Sequence, residues 1–217
     1  MESLDLDKYS TFIFDCDGVL LNSNQIKTKA FFDTALPYGS EKAQRLVEHH
    51  VLHGGVSRYR KFSWFVNDLL EEGSPALIEQ LVSTYALKVI KELERCDSAP
   101  LNEIRARFAS TNWMVASGGD QSELRKVFDV RSLTPLFDLG IFGSPDDKSV
   151  IIEREIVANN LHSEAVLFGD SKYDFEVARQ FEIDFVYVSS WSEWHPTGKE
   201  EKDFTGRISS LDCLLDN

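Results

Sequence analysis

The stretch "TFIFDCDGVLLNSN", Thr11 to Asn24, sets two carboxylates, Asp15 and Asp17, directly after an apolar run, with Cys16 between them and Gly18 behind. Like charges this close repel, and a carboxylate at the end of a buried strand is costly to desolvate. The placement makes sense where the carboxylates work. Such groups serve as nucleophile, as proton donor and acceptor, or as ligands for a hard cation. A calcium loop is excluded on spacing: counted from Asp15, glycine stands fourth rather than sixth, and the twelfth position is Ile26. Three further places carry reactive side chains. They are Ser117, followed by Gly118 and Gly119; Lys148; and "GDSKYD", Gly169 to Asp174, with Asp170 and Asp174. Taken singly, each has a plain reading: a turn aspartate, a serine cap, a solvated lysine, an acid that complements a helix dipole.

The elements that must position these residues are readable from hydrophobic periodicity. Short apolar runs at Phe12 to Phe14, Trp113 to Ala116, Leu139 to Phe142, Ala165 to Phe168 and Phe185 to Val188 predict buried strands. Between the later ones, "DQSELRKVFDV", "KSVIIEREIVANN" and "KYDFEVARQF" repeat apolar residues at three and four, which is helical spacing. Strand and helix alternate from Thr111 to Ser189. This predicts an α/β class protein, a Rossmann-like parallel sheet with helices on both faces. Ligands bind such sheets at the carboxyl ends of the strands. Asp15, Asp17, Ser117, Lys148, Asp170 and Asp174 all follow predicted strands, so they converge on one edge.

From Asn24 to about Pro100 no strand is predicted. "NQIKTKAFFDTAL", "EKAQRLVEHHVL", "SRYRKFSWFVNDLL" and "PALIEQLVSTYALKVIKELER" read as helices. Breaks fall at Pro37-Tyr38-Gly39, Gly54-Gly55 and Gly73-Ser74-Pro75. Residues 23–100 are therefore expected to form an α-helical cap inserted into an α/β core of residues 1–22 and 101–217. Gly206 to Asn217 is expected to add a short strand and a final turn.

Composition bounds the setting. The chain has 217 residues, 42% of them hydrophobic and 27% charged, enough for a sizeable core. A net charge of -13 argues against nucleic-acid or anionic-membrane partners. It leaves an anionic substrate open, because a metal ion and a few cations can reverse the potential inside one cleft. Cys16, Cys96 and Cys213 are odd in number and widely spaced, which fits a reducing compartment. The acidic opening "MESLDLDKYS" is no signal peptide, and no apolar run approaches a membrane span. The expected setting is cytoplasmic, as a monomer or weak homodimer.

In order and placement, "DCDGV" (Asp15 to Val19), Ser117, Lys148 and "GDSKYD" resemble the haloacid dehalogenase superfamily, in its Mg²⁺-dependent phosphatase and phosphomutase branch. The helical insertion is similar to the small α-helical cap of that branch. The resemblance implies Mg²⁺ as cofactor and a small phosphorylated metabolite as substrate. It implies Asp15 as the nucleophile that becomes an aspartyl-phosphate, and Asp17 as acid and base with its side chain free for the proton. Mg²⁺ would be held by Asp15, the backbone carbonyl of Asp17, and Asp170, with Asp174 completing the acidic set from behind. Ser117 and nearby backbone N–H groups, with Gly118 beside it, would bind phosphoryl oxygens. Lys148 would pair with both the phosphoryl group and Asp15.

The cap carries the substrate question. "HGGVSRYRKF", His53 to Phe62, resembles the Gly-Val-Ser-Arg stretch of β-phosphoglucomutase-like members. By that resemblance Arg58 faces the cleft and grips a distal anionic group; the plain reading is a helix start at Ser57 with Arg58 in solvent. Phe31, Phe32, Trp64 and Phe65 read as cap core, and Trp191, Trp194 and His195 as surface packing near the site. The form "GDSKYD" favours a phosphatase over a phosphomutase, while "SRY" leans the other way. Asp17 argues against a 2-haloacid dehalogenase. The helical insertion argues against a receiver-like phospho-acceptor.

Overall fold

A computed structural model describes residues 4–162 and 164–215. The first three residues of the acidic opening and the last two of the C-terminal segment lie outside the described residues. Six strands, β1 (Thr11–Phe14), β2 (Asn112–Asp120), β3 (Gly140–Ser144), β4 (Ala165–Gly169), β5 (Asp184–Val188) and β6 (Gly206–Ile208), form one sheet in the order β3-β2-β1-β4-β5-β6. Every pairing is parallel. β1 is central, and the chain leaves it first toward β2 and later toward β4. That reversal opens a crevice at the carboxyl end of β1, where open α/β sheets take their ligands.

Strand alternation sorts the core. Phe12 and Phe14 face one layer with Trp113 and Phe168, while Ile13 faces the other with Met114, Ile151 and Phe175. Helices α5 (Leu101–Arg107), α6 (Gln121–Val130), α7 (Lys148–Val157) and α8 (Lys172–Gln180) cover the sheet. The C-terminal strand expected after Gly206 is present, followed by a 3₁₀ turn at Leu211–Leu215. β2 runs further than the sequence predicts. It passes through Ser117-Gly118-Gly119 to Asp120, with a shift of register against β3 between Ala116 and Asp120. The two glycines permit this irregular end, which an apolar-run criterion cannot register.

Between β1 and β2 the chain forms α1 (Asn24–Ala35), α2 (Ser40–Leu52), α3 (Arg58–Trp64) and α4 (Pro75–Leu93). Ser57 caps α3 by accepting from the Arg60 N–H, and Ser74 caps α4 by accepting from Leu77, with Pro75 at its first position. The helix expected to run through Leu70 instead leaves α-geometry after Trp64 and widens into a π-turn at Phe65–Leu69. Phe31 anchors the interior of this layer, with ring centroids 5.1 Å from Phe62 and 4.4 Å from Tyr85.

Candidate active site

Asp15 follows β1 directly, its N–H donating to the Phe168 carbonyl of β4 at 2.9 Å, so the neighbouring strand fixes its backbone. Lys148, the first residue of α7, donates to Asp15 Oδ1 at 2.9 Å and also to Asp174 Oδ1. Asp174 lies in the first turn of α8. Its Oδ2 accepts from Ser171 N–H at 3.0 Å and Ser171 Oγ at 2.6 Å, a capping box. Both Asp174 oxygens are thus engaged, and their effect is to aim Lys148 at Asp15. Asp170 follows β4, and its Oδ2 accepts from Asn24 Nδ2 at 2.6 Å.

Carboxylate oxygens of Asp15, Asp170 and Asp174 lie within 4.8 Å of one another, all buried. Burial lifts the Asp15 carboxyl to about 7; Lys148 opposes the rise, and Asp174 and Asp17 add to it. Asp170 is pushed well above the usual carboxylate range by burial, then by Asp15 and Asp174. The cluster therefore holds more negative charge than Lys148 neutralises. An all-oxygen donor set with surplus negative charge fits a hard divalent cation. Gly18 makes the arrangement possible. It sits at φ +77°, and a Cβ there would overlap Asp170 Oδ2.

Asp17 differs from expectation. Its side chain is not free: Ser23 Oγ donates to Oδ1 at 2.6 Å and Lys27 Nζ to Oδ2 at 2.5 Å. Burial favours the neutral acid, but Lys27 and Ser23 outweigh it and hold Asp17 below its ordinary range. Ser117 is fully buried, its Oγ accepting from the Gly119 N–H at 3.0 Å, and the cavity wall there is Gly118 and Gly119. Gly118 also meets the insertion. A Cβ on it would overlap the carbonyl oxygen of Gly55, in the loop between α2 and α3.

The helix starts at Ser57 and Arg58 lines the cleft, but Arg58 is neither in solvent nor free. It is 5% exposed, so not in solvent. Nor is it free to grip a substrate, because Nη1 and Nη2 donate to Glu123 of α6 at 2.9 and 2.6 Å. Its guanidinium also lies over the Tyr85 ring at 4.7 Å. A fork-to-fork pair of this kind ties the insertion to the core. Trp194 lines the cavity, packed against Phe175, while Tyr187 donates to its carbonyl at 2.6 Å; His195 is exposed.

The strand ends and the helical layer enclose a cavity of about 70 Å³. Asp15, Asp17, Asp170 and Gly118 form its floor, and Lys27, Phe31, His50, Lys61 and Tyr85 line it from the helical side. Asn24, Lys27, His50 and Lys61 escaped the sequence reading. A signal was present. Asn24, Lys27 and Phe31 fall at three and four along α1, Ala43, Leu46 and His50 along α2, and Arg58, Lys61 and Phe62 along α3. Lys27, His50 and Lys61 are thus polar residues on faces otherwise apolar and buried.

Residues 9–182 match the haloacid dehalogenase-like hydrolases, and the chain belongs to that family. It is therefore a hydrolase with an α/β fold. Among solved structures, a haloacid dehalogenase-like family hydrolase from Streptococcus pneumoniae is 18% identical with TM-score 0.69, over 97% of this chain and 98% of that one. A predicted phosphoglycolate phosphatase from Haemophilus somnus is 14% identical with TM-score 0.72, over 96% and 97%. CbbY from Rhodobacter sphaeroides, solved with phosphate, is 14% identical with TM-score 0.71, over 96% and 100%. No functionally curated protein matches the chain. Among the described residues no helix is long and apolar enough to cross a membrane.

Proposed function

We propose that the protein is a Mg²⁺-dependent phosphatase that cleaves the phosphate monoester of a small metabolite through Asp15. One observation carries the reading: carboxylate oxygens of Asp15, Asp170 and Asp174 crowd within 4.8 Å of one another, with Lys148 bridging Asp15 and Asp174. Residues 23–100 act as the cap over this site. Asp15, the Asp17 carbonyl and Asp170 would hold the metal, while Asp174 positions Lys148. Mg²⁺, when bound, neutralises charge so that an anionic phosphate can meet an anionic nucleophile.

The chain's own residues then divide the work. Lys148 engages Asp15 Oδ1, leaving the other carboxylate oxygen to attack phosphorus. The phosphorus–oxygen ester bond breaks as the Asp15–phosphorus bond forms, and Asp17 gives its proton to the departing alkoxide. Asp17 then takes a proton from the attacking water, which releases phosphate and restores Asp15. Asp17 must be protonated for the first step, so Lys27 has to yield its hold as substrate enters. Ser117, with Gly118 and Gly119, shapes the wall against which phosphoryl oxygens rest.

A panel of phosphorylated metabolites with Mg²⁺, scored by released phosphate, tests the reading. Turnover by the native protein and none by Asp15→Asn is the expected result. Retained turnover in that variant would sink the mechanism. The phosphomutase alternative loses its cap argument, since Arg58 is occupied by Glu123.

A further inference from the structure

The cations around the cavity are not equivalent. Of those that line it, Lys27 is paired with Asp17, Arg58 with Glu123 and Lys172 with Glu176, while Lys148 beneath the floor is held by Asp15 and Asp174. Lys61 is different. It is 2% exposed and lines the cavity, yet it forms no ion pair among the described residues. Its hydrogen bond is to His50 Nδ1 at 2.7 Å. It also lies over the Phe31 ring, 5.6 Å from the centroid, but an ammonium carries three donors, and two of the three have no oxygen or nitrogen acceptor among the described residues. A buried charge so poorly satisfied is costly unless something else completes it.

The partner of Lys61 is itself held in place. His50 Nε2 lies 3.1 Å from Thr28 Oγ1, and Thr28 Oγ1 donates to Glu193 at 2.9 Å. Because the threonine hydrogen goes to Glu193, its oxygen accepts from His50 Nε2–H. That leaves Nδ1 bare, to accept from Lys61. His50 stays neutral, since burial and then Lys61 and Lys27 push its protonation well below the ordinary range. The chain Lys61–His50–Thr28–Glu193 runs from α3 to the segment after β5, so it fixes the ammonium across both layers.

We propose that Lys61 receives a carboxylate at the far end of a small phosphorylated acid, with His50, Thr28 and Glu193 as positioning residues. The proposal rests on the phosphatase reading and names its substrate class. The phosphoryl end belongs at Asp15, at the end of β1, and Lys61 lines the same cavity from α3 in the helical layer. Phe31 and Tyr85, which also line that side, suit a short carbon linker. The cavity holds about 70 Å³, which excludes a long substrate without cap opening. A carboxylate brings one charge and two acceptors, matching one ammonium with two free donors. A second phosphoryl group is larger and doubly charged, and does not match.

The test compares short ω-carboxyalkyl phosphates with hydroxyalkyl phosphates of the same length, in the native protein with Mg²⁺. We expect kcat/KM to favour the acid by at least about tenfold. In Lys61→Met that ratio should collapse toward unity. Equal rates on both series in the native protein overturn the proposal without any variant, so a poorly folding Lys61→Met does not shield it. An unchanged ratio in Lys61→Met overturns it as well, as does a preference for alkyl bisphosphates over the acids. So does a borohydride-trapped adduct of Lys61 with a carbonyl-bearing phosphate, which would make the lysine a nucleophile. No turnover of either series overturns the proposal; the phosphatase reading falls with it only if the metabolite panel releases no phosphate either.

Discussion

Lys27 Nζ stands 2.5 Å from Asp17 Oδ2, so a side chain of the helical insertion holds the carboxylate assigned to proton transfer. The pair is nearly buried, with side chains 9% and 16% exposed. Removing one partner strands the other. Lys27→Met should lower stability by about 3 kcal/mol, and adding Asp17→Asn should cost less than the sum of the single changes. Asp17 would also lose the group that keeps it ionised. The alkaline limb of the kcat/KM profile, which the protonated Asp17 sets, should then move to higher pH. Denaturant unfolding and a pH–rate profile check both; additive losses with an unmoved limb would show that the contact is incidental.

The carboxylate cluster makes metal-free stability depend on pH with a definite sign. Asp15 is raised from 3.8 to about 7 by burial, against Lys148 and with Asp174 and Asp17. Between those values the folded protein binds more protons than the unfolded chain. Stability is therefore full at low pH and falls as pH rises through about 7. Asp170, also raised, adds to the fall. His49, lowered to about 4, and His50, lowered well below 6.5, both by burial first, act with the opposite sign in the same window, so the test is a difference. Without Mg²⁺ the melting temperature of the native protein relative to Asp15→Asn should fall over this range, and Mg²⁺ should restore the native protein at higher pH by binding the folded state alone. A native protein that gains on Asp15→Asn across the window without metal contradicts the assignment.

Gly118 faces the Gly55 carbonyl so closely that a Cβ would overlap it. Gly118→Ala should push the α2–α3 loop away from the sheet edge and open the cavity to water. Misplacement on the scale of an ångström costs on the order of 100-fold in rate, so kcat/KM should fall by about that much, while the core, untouched, keeps its melting temperature within a few degrees. Stopped-flow and thermal unfolding separate the two effects. Loss of both together would mean that the contact supports the fold rather than closure.

The fold and the floor of the site were legible because they rest on local patterns. Phe12 to Phe14 had to be a buried strand, and Asp15 had to emerge from its end. Alternation of strand and helix fixed the parallel sheet, and the strand-end rule gathered Ser117, Lys148, Asp170 and Asp174. The helical side was not legible, because it depends on which distant side chains meet. Arg58 looked like a ligand-gripping cation until Glu123, sixty-five positions on, proved to occupy it. Asp17 looked free because Lys27 lies ten residues away on a helix whose facing no strand rule predicts. The π-turn after Trp64 has no composition signal. Polar residues on otherwise apolar helix faces were the missed cue, and they are the ones that line the cavity.

Lys61 supplies the last prediction, on the empty protein. Burial, then Lys27, lowers its ammonium from 10.5 to about 7, while Asp17, Glu193 and Asp15 favour the charge too weakly to restore it. Between about 7 and 10.5 the unfolded chain binds more protons than the folded protein. Stability contributed at this site therefore rises with pH across that window, and the penalty is full below it. Methionine fills the same space without charge. Lys61→Met should stabilise the fold at pH 7 and below by on the order of a few kcal/mol, a gain that shrinks as pH approaches 10. Melting curves of the two proteins across that range decide it. A variant that is less stable at every pH would mean that Lys61 is satisfied in the empty protein. A variant that is more stable and has lost its preference for acids would show a lysine placed at a cost to the fold, for the ligand that fills the cavity.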